Sequence, residues 1–466
     1  MAKKKLPLIE KAEIISVGND GKAVAKYDGM VIFVPFAAPG DIVDIQIVSK
    51  KKSFSEGKII RFHKYSPFRV NSFCEHFGIC GGCSWQHVNY QYQLEFKKQN
   101  IADNFQRIGK FEFPTLSEPV SSANITHYRN KLEYTFSNRR WLTDNDMSDL
   151  DQKDLNGLGF HIPRLFDKVL DIKTCHLQPE PSNSIRLAVK EYAQQHNYSF
   201  YDHRKHTGFL RNLVIRNSSN GEVMVILVVS QNDQEKIHAL LDYLAESFSQ
   251  ITSLMYIVNT KLNDSLDDQK VVLYSGNPYI TEVMDDLKFR IRPLSFFQTN
   301  TTQALRLYQI TVEMAALAGN ELVYDLYSGT GTIAAFIARQ AKEVVGIEYS
   351  GSAVADAREN AILNNLKNVK FISGDIAKVL NSDFVALHGS PEVVITDPPR
   401  AGMHGNVVKA LLEINPERIV YVSCNPATQA RDIALIANEY KVLRVQPVDM
   451  FPHTYHIENI ALLEKR

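Results

Sequence analysis

Leu322-Val-Tyr-Asp-Leu-Tyr-Ser-Gly-Thr-Gly-Thr332 reads as a strand, a glycine turn and the start of a helix. Leu322 to Tyr327 is a short, mostly apolar run, the pattern of a strand buried on both faces of a parallel sheet. Gly329 and Gly331 follow it and open a helical stretch that runs to Gln340. A lone Gly-x-Gly is a weak signal. Between a strand and a helix it lets the backbone approach a ligand closely. Working outward, three more strand candidates appear: Val344 to Glu348, Val369 to Asp375 and Val393 to Asp397. Strands alternating with helices in this way predict a doubly wound, Rossmann-like α/β sheet over the carboxyl-terminal third.

Each of those three strands ends in an acid. One strand-terminal acid is commonly a cap for the helix that follows. Glu348, Asp375 and Asp397, in successive strands after the glycine turn, instead predict a nucleoside pocket, with Glu348 set to accept hydrogen bonds from a ribose. No dinucleotide or Walker-type spacing is present. The ligand that remains is S-adenosylmethionine.

Arg418-Ile-Val-Tyr-Val-Ser-Cys424-Asn-Pro-Ala-Thr428 continues the pattern. Ile419 to Val422 form a buried strand, and Pro426, which cannot donate to a ladder, stops it near Cys424. Ligands of open α/β sheets sit beyond the carboxyl ends of the strands, so this thiol should face a crevice. Taken alone, a cysteine there reads as a small core residue.

The other four cysteines are Cys74, Cys80, Cys83 and Cys175. An odd total, and no apolar h-region behind Met1-Ala-Lys-Lys-Lys-Leu, argue against a disulfide framework and a signal peptide, and for the cytoplasm. Cys74-x5-Cys80-Gly-Gly-Cys83 places three thiols in one turn-rich stretch, and Cys175 is the one cysteine left to complete a four-thiolate site. Zinc favours two close pairs, whereas a triplet with a distant single is more similar to iron–sulfur ligation; zinc and unliganded thiols stay open.

The chain has 466 residues, enough for two or three domains, with 44% hydrophobic and 22% charged residues, a soluble globular balance. No run approaches the roughly 18 apolar residues of a membrane span. Net charge is zero. Residues 1–70, however, carry 13 Lys and Arg against 7 Asp and Glu, a surplus of 13 − 7 = 6. Five short strands are predicted there: Ala12 to Val17, Ala23 to Lys26, Met30 to Val34, Ile42 to Val48 and Glu56 to Arg61. They suggest a small β-barrel of a kind that grips single-stranded nucleic acid. Residues 66–290 read as an α+β region. Its parts are a helix over 90–108, a strand over 127–136, an irregular β stretch from Gly159, strands near 211–216, 223–230 and 253–259, and a helix over 233–247.

Asp397-Pro-Pro-Arg400-Ala-Gly402, the Ser-Cys-Asn-Pro-Ala-Thr run, Cys-x5-Cys-Gly-Gly-Cys and Phe451-Pro-His-Thr-Tyr-His-Ile-Glu458 together resemble the RNA (uracil-5-)-methyltransferases, in particular the iron–sulfur branch acting on 23S ribosomal RNA. The similarity runs over nearly the whole chain. It implies a TRAM-like RNA-binding barrel over residues 1–65, a central iron–sulfur domain over 66–290 and a class I methyltransferase domain over 291–466, with the 90–108 helix free to join the latter. It implies a [4Fe-4S] cluster on Cys74, Cys80, Cys83 and Cys175. It implies Cys424 as nucleophile, Glu458 as base, and a cofactor pocket of Gln298, Tyr327, Thr332, Glu348, Asp375 and Asp397. Two positions depart from the relatives' pattern: Ser328, where a cysteine is frequent, and Thr332, where asparagine is frequent.

The chemistry accounts for these residue types. Carbon 5 of uracil is a poor nucleophile until a thiolate adds to carbon 6, which Cys424 would do. Glu458 would then remove the carbon 5 proton so that the thiol can leave. Arg129, Asn130 and Lys131 are candidate RNA contacts, and a polar strand face is the alternative. The partner expected is 23S ribosomal RNA, with the protein a monomer off the membrane. The same chemistry on transfer RNA, or a non-catalytic RNA-binding iron–sulfur protein, are the other readings.

Overall fold

The computed structural model describes residues 6–143 and 155–466, and the charged run Met1–Lys5 lies outside the described residues. At the amino terminus β1 (Leu8–Val17), β2 (Ala23–Tyr27), β3 (Met30–Val34), β4 (Ile42–Lys50) and β5 (Phe54–Lys64) close a barrel in the order β1-β2-β3-β5-β4. Alternating apolar residues, among them Ile14, Ala25, Ile32, Val43 and Ile45, fill its interior. The fit leaves no slack at Gly57, where an added Cβ would sit 2.2 Å from Cγ2 of Ile45.

Helix α1 (Tyr90–Asn104) follows and ends in a π-helical turn, Phe105–Gly109, four residues short of where apolar spacing alone carries an α-helix. Ile101 and Phe105 join a core with Leu326, Ile347, Tyr421 and Ile433, so this early helix covers the carboxyl-terminal sheet.

The central region holds β6 (Lys131–Ser137), β7 (Gly157–His161), β8 (Val169–Asp171), α2 (Ser182–Gln195), β9 (Leu210–Asn217), β10 (Val223–Val229), α3 (Gln234–Ser247), β11 (Ile251–Val258) and β12 (Val271–Gly276). Its sheet runs β12-β11-β10-β9-β6-β7-β8. Strand β10 explains its own unbroken apolar sequence. Val223, Val225, Leu227 and Val229 face the core under α2 and α3, while Met224, Ile226 and Val228 face the carboxyl-terminal core. The strand expected over 127–136 begins only at Lys131, because the amides of His127, Arg129 and Asn130 bond instead to the carbonyls of His176, Leu177 and Thr299, outside the sheet. Helix α2 was not foreseen.

A hairpin, β13 (Ile280–Met284) and β14 (Leu287–Ile291), leads into α4 (Thr301–Ala315). Then come β15 (Leu322–Leu326), α5 (Thr332–Ile337), β16 (Glu343–Glu348), α6 (Gly351–Leu363), β17 (Val369–Ser373), α7 (Ile376–Val379), α8 (Ser382–His388) and β18 (Val393–Thr396). The chain closes with α9 (Gly405–Ile414), β19 (Arg418–Ser423), α10 (Pro426–Ile436), β20 (Tyr440–Val448) and β21 (Glu458–Lys465). Strand order is β17-β16-β15-β18-β19-β21-β20, parallel except for β21, which runs antiparallel between β19 and β20. This is the class I methyltransferase arrangement. Order reverses between β15 and β18, which opens a crevice above their carboxyl ends. No helix among the described residues is long and apolar enough to cross a membrane.

Candidate active site

The crevice between β15 and β18 continues into a cavity of about 1550 Å³. Strand β15 delivers Tyr327 to its wall with φ at +63°, a left-handed backbone uncommon for a side chain of this size. Gly331, at φ +78°, caps the start of α5, and a Cβ there would meet Phe371 at 2.6 Å. At Gly329 a Cβ would meet nothing within 4 Å, so the turn presents bare backbone to open space. Glu348, closing β16, braces this turn by accepting from the amides of Gly329 at 3.1 Å and Ser350 at 2.8 Å. Thr332 and Gln298 complete this end of the cavity. Gln298 is fixed through its carbonyl, which accepts from Nδ2 of Asn130 at 3.0 Å. Asp375 is not on the cavity wall. Its carboxylate caps α7 through the amide of Ala377 at 3.1 Å, although its charge reaches the Tyr327 hydroxyl, which burial first of all pushes up to about 12.

Across the cavity, β19 ends at Ser423 and presents Cys424 one residue later. Asn425 caps α10 through the amide of Ala427 at 3.1 Å, with Pro426 in the first turn where its missing N–H costs nothing. Nδ2 of Asn425 and Oγ1 of Thr428 both donate to the Arg400 carbonyl, at 2.9 and 3.3 Å. Asp432, on α10, accepts from the amide of Met403 at 2.8 Å and the Tyr421 hydroxyl at 2.7 Å. The Asp-Pro-Pro-Arg loop is thereby clipped to the helix behind the cysteine. The two sequence motifs form one structural unit.

Asp397, Cys424 and Glu458 line the same cavity. Burial raises all three. Asp397, partly open to the cavity but walled in by protein, is pushed up to about 7. Glu458 rises well above the carboxylate range through burial and the charge of Asp397. Cys424 is pushed up to about 11 by burial and by the two carboxylates, against the pull of the Arg400 guanidinium beside it. A thiol and two carboxyls share one part of the cavity wall, where they disfavour one another's ionisation. Glu458 is no surface residue beside a final strand: it is the first residue of β21 and only 4% exposed.

Residues 220–466 match the family described as tRNA (uracil-5-)-methyltransferase, and residues 10–60, the barrel, match the TRAM domain. A Bacteroides thetaiotaomicron relative described as an uncharacterized RNA methyltransferase is 52% identical over 451 residues, covering 96% of this chain and 99% of that one. The chain belongs to the tRNA (uracil-5-)-methyltransferase family. A Porphyromonas gingivalis protein with the same description is 51% identical, over 97% of this chain and 99% of its own length. Among solved structures, the Pyrococcus abyssi tRNA (uracil-54, C5)-methyltransferase in complex with S-adenosyl-L-homocysteine matches with a TM-score of 0.76 and 31% identity, over 97% of this chain and all of that one. The protein is thus an S-adenosylmethionine-dependent RNA (uracil-5-)-methyltransferase.

The four remaining cysteines of this methyltransferase line the same cavity. Burial pushes Cys80 up to about 11 and Cys83 up to about 12, and the other thiols add to both shifts. Among the described residues no three of these sulfurs lie within 4.8 Å of one another. A tetrahedral zinc, with Zn–S of about 2.3 Å, would hold its sulfurs about 3.8 Å apart. The thiols share a wall without closing on a zinc-sized point.

Several contacts around the cavity had no sequence signal. Asp325 lies fully buried inside β15, its carboxyl held well above the usual range by burial and the charge of Asp397. Nη2 of Arg400 donates to Nδ1 of His456 at 3.1 Å, at the cavity rim. Asn130, a candidate RNA contact, is buried and bonds to Gln298 and Thr301, so it positions the cavity wall instead. Arg129 does line the cavity, whereas Lys131 sits partly buried in β6.

Proposed function

We propose that this enzyme methylates carbon 5 of a uridine in 23S ribosomal RNA through a covalent adduct with Cys424. The observation that carries the reading is the placement of Cys424, Asp397 and Glu458 on one cavity with the bare glycine turn at Gly329. S-adenosylmethionine supplies the electrophilic methyl when bound. Its cradle would be the turn from Tyr327 to Thr332 with Gln298, Glu348 and Asp397, and Asp375 stands behind Tyr327 at the edge. That turn fits the group because its backbone is open where a nucleoside must lie close.

A uridine swung out of the RNA fold enters between the Asp-Pro-Pro-Arg loop and Cys424. The thiol loses its proton to water, the resulting thiolate adds to carbon 6, and the electron pair displaced from the carbon 5–carbon 6 double bond makes carbon 5 nucleophilic. Arg400, the cation beside the sulfur, favours the thiolate. After carbon 5 has gained the methyl, Glu458 takes its proton, and the electron pair left behind expels the sulfur. A carboxylate whose proton affinity burial has raised is the stronger base for that step.

The four cysteines Cys74, Cys80, Cys83 and Cys175 would hold a [4Fe-4S] cluster. An all-thiolate donor set spaced more widely than a single zinc allows suits a larger inorganic core. The cluster would staple the residues between Cys83 and Cys175. We take the protein to be a cytoplasmic monomer.

Transfer RNA is the second substrate reading, favoured by the match to the Pyrococcus abyssi transfer RNA enzyme. The four cysteines, by which the sequence resembles the ribosomal branch, favour the first. The test is methylation in vitro with labelled S-adenosylmethionine, unmodified 23S ribosomal RNA and unmodified transfer RNA, followed by nucleoside analysis. 5-Methyluridine in the ribosomal RNA alone is expected. Label in transfer RNA alone overturns the substrate and keeps the chemistry.

A further inference from the structure

Outside the catalytic cavity, the central region gathers three metal-ligating side chains from segments far apart in sequence. His161 ends β7, His203 precedes β9, and Asp264 lies in the connection between β11 and β12. One ligand atom from each lies within 4.8 Å of the other two, and no other three or more His, Cys, Asp or Glu among the described residues meet that spacing. The imidazoles stand edge to face, with centroids 5.1 Å apart and planes at 74°. They line a separate cavity of about 450 Å³ with Asp264.

The groups around these residues orient them as ligands. Nε2 of His203 donates to the Phe136 carbonyl at 3.1 Å, so the lone pair is on Nδ1. Metal-bound histidines are commonly held by that kind of bond. Nδ1 of His161 is buried with no hydrogen-bond partner, a position that a packed protein rarely leaves empty-handed. Oδ1 of Asp264 accepts from Nη2 of Arg211 at 2.7 Å, and Arg211 is itself buried and bonded to the carbonyls of Asn259, Lys261 and Asn263. The carboxylate is therefore held in place, with its second oxygen left for a cation. Arg204, the guanidinium on the wall of this cavity, is paired with Asp167 at 2.6 Å.

We propose that His161, His203 and Asp264 form a binding site for one divalent transition-metal ion, zinc by ligand type, separate from the cysteine set. Two imidazoles and a carboxylate are a frequent three-residue donor set for zinc, with water completing the shell. The ion joins β7 and the stretch before β9 to the β11–β12 connection. That connection also carries Asp267, on the wall of the catalytic cavity, and Leu266, packed on the carboxyl-terminal core. The site acts as a clamp that fixes one rim of the RNA-binding cavity.

The test uses the full-length protein, treated with a chelator and titrated with Co²⁺ as a spectroscopic probe. One equivalent is expected to bind with visible d–d absorption and without the strong near-ultraviolet band of thiolate-bound cobalt. Zn²⁺ should displace it and raise the melting temperature. Asp264 is exposed and His161 partly so, so D264N and H161A should fold, and each should weaken binding by about tenfold or more. Binding should persist in C80S. The proposal fails if the parent binds no cobalt, if the bound cobalt shows the thiolate band and is lost in C80S, or if D264N and H161A bind as tightly as the parent.

Discussion

Cys424 waits in the free enzyme as a neutral thiol. Burial, Glu458 and Asp397 push it up to about 11, and Arg400 is the nearby charge that favours the thiolate. Below that value the thiolate fraction rises about tenfold per pH unit. Alkylation of Cys424 by iodoacetamide, followed by peptide mass spectrometry, should therefore be slow at pH 7 and climb through pH 10. R400A should slow it further at every pH in that range; an unchanged rate would remove Arg400 from the thiolate's support. Glu458 gains its basicity first from burial and then from the charge of Asp397, against the pull of the Arg400 guanidinium. E458Q should add Cys424 to the uracil and transfer the methyl, yet fail to release the product. A covalent protein–RNA band that survives denaturing gels is the expected readout. A folded E458Q protein that binds RNA and cofactor but forms no band would assign the base elsewhere.

Among the elements, α1 is the one whose place in the chain hides its role. Lys97, on its buried face, donates from Nζ to Oδ1 of Asp449 at 2.7 Å and to the Phe451 carbonyl at 3.1 Å, and both charged side chains are fully buried. The Tyr90 hydroxyl donates to Oδ2 of Asp449 at 2.8 Å, and Gln93 accepts from the amide of His453 at 2.9 Å. Helix α1 thus holds the Asp449–Ile457 segment that delivers Glu458 to β21. Removing one member of a buried ion pair costs about 3–5 kcal/mol, because the partner stays charged in a dry site. K97M should be destabilised by that amount in urea unfolding, and K97M/D449N should recover part of the loss. Losses from K97M and D449N that simply add in the double variant would mean that Lys97 and Asp449 are not coupled.

At the scale of the whole molecule, the barrel docks on the carboxyl-terminal loop through Gly21. Its φ is +77°, a Cβ there would lie 2.6 Å from the Tyr455 ring, and its carbonyl accepts from Nε1 of Trp85 at 2.8 Å. G21V should force the barrel off Tyr455 and weaken RNA binding by about tenfold, or about 1.4 kcal/mol, with cofactor affinity unchanged. Filter binding and calorimetry measure the two separately, and equal RNA affinity would show that the docking angle does not matter. Much of this architecture was legible in the sequence. Five short strand runs marked the barrel, and unbroken apolar runs ending in Glu348 and Cys424 marked the parallel sheet, because local burial patterns set the element type. The motifs likewise named the residues that meet in the cavity. Tertiary structure alone decided the rest. Glu458 was marked by its motif alone, and only the placement of β21 between β19 and β20 buries it. Asp375 looked like a third pocket acid, and local geometry used it as a helix cap. Asn130 looked like a surface contact and became a brace for Gln298. Helix α1, and the meeting of His161, His203 and Asp264, depend on contacts between segments tens to hundreds of residues apart. A sequence fixes what each segment can bury, and only the assembled fold sets which buried groups face one another and how far each is removed from water.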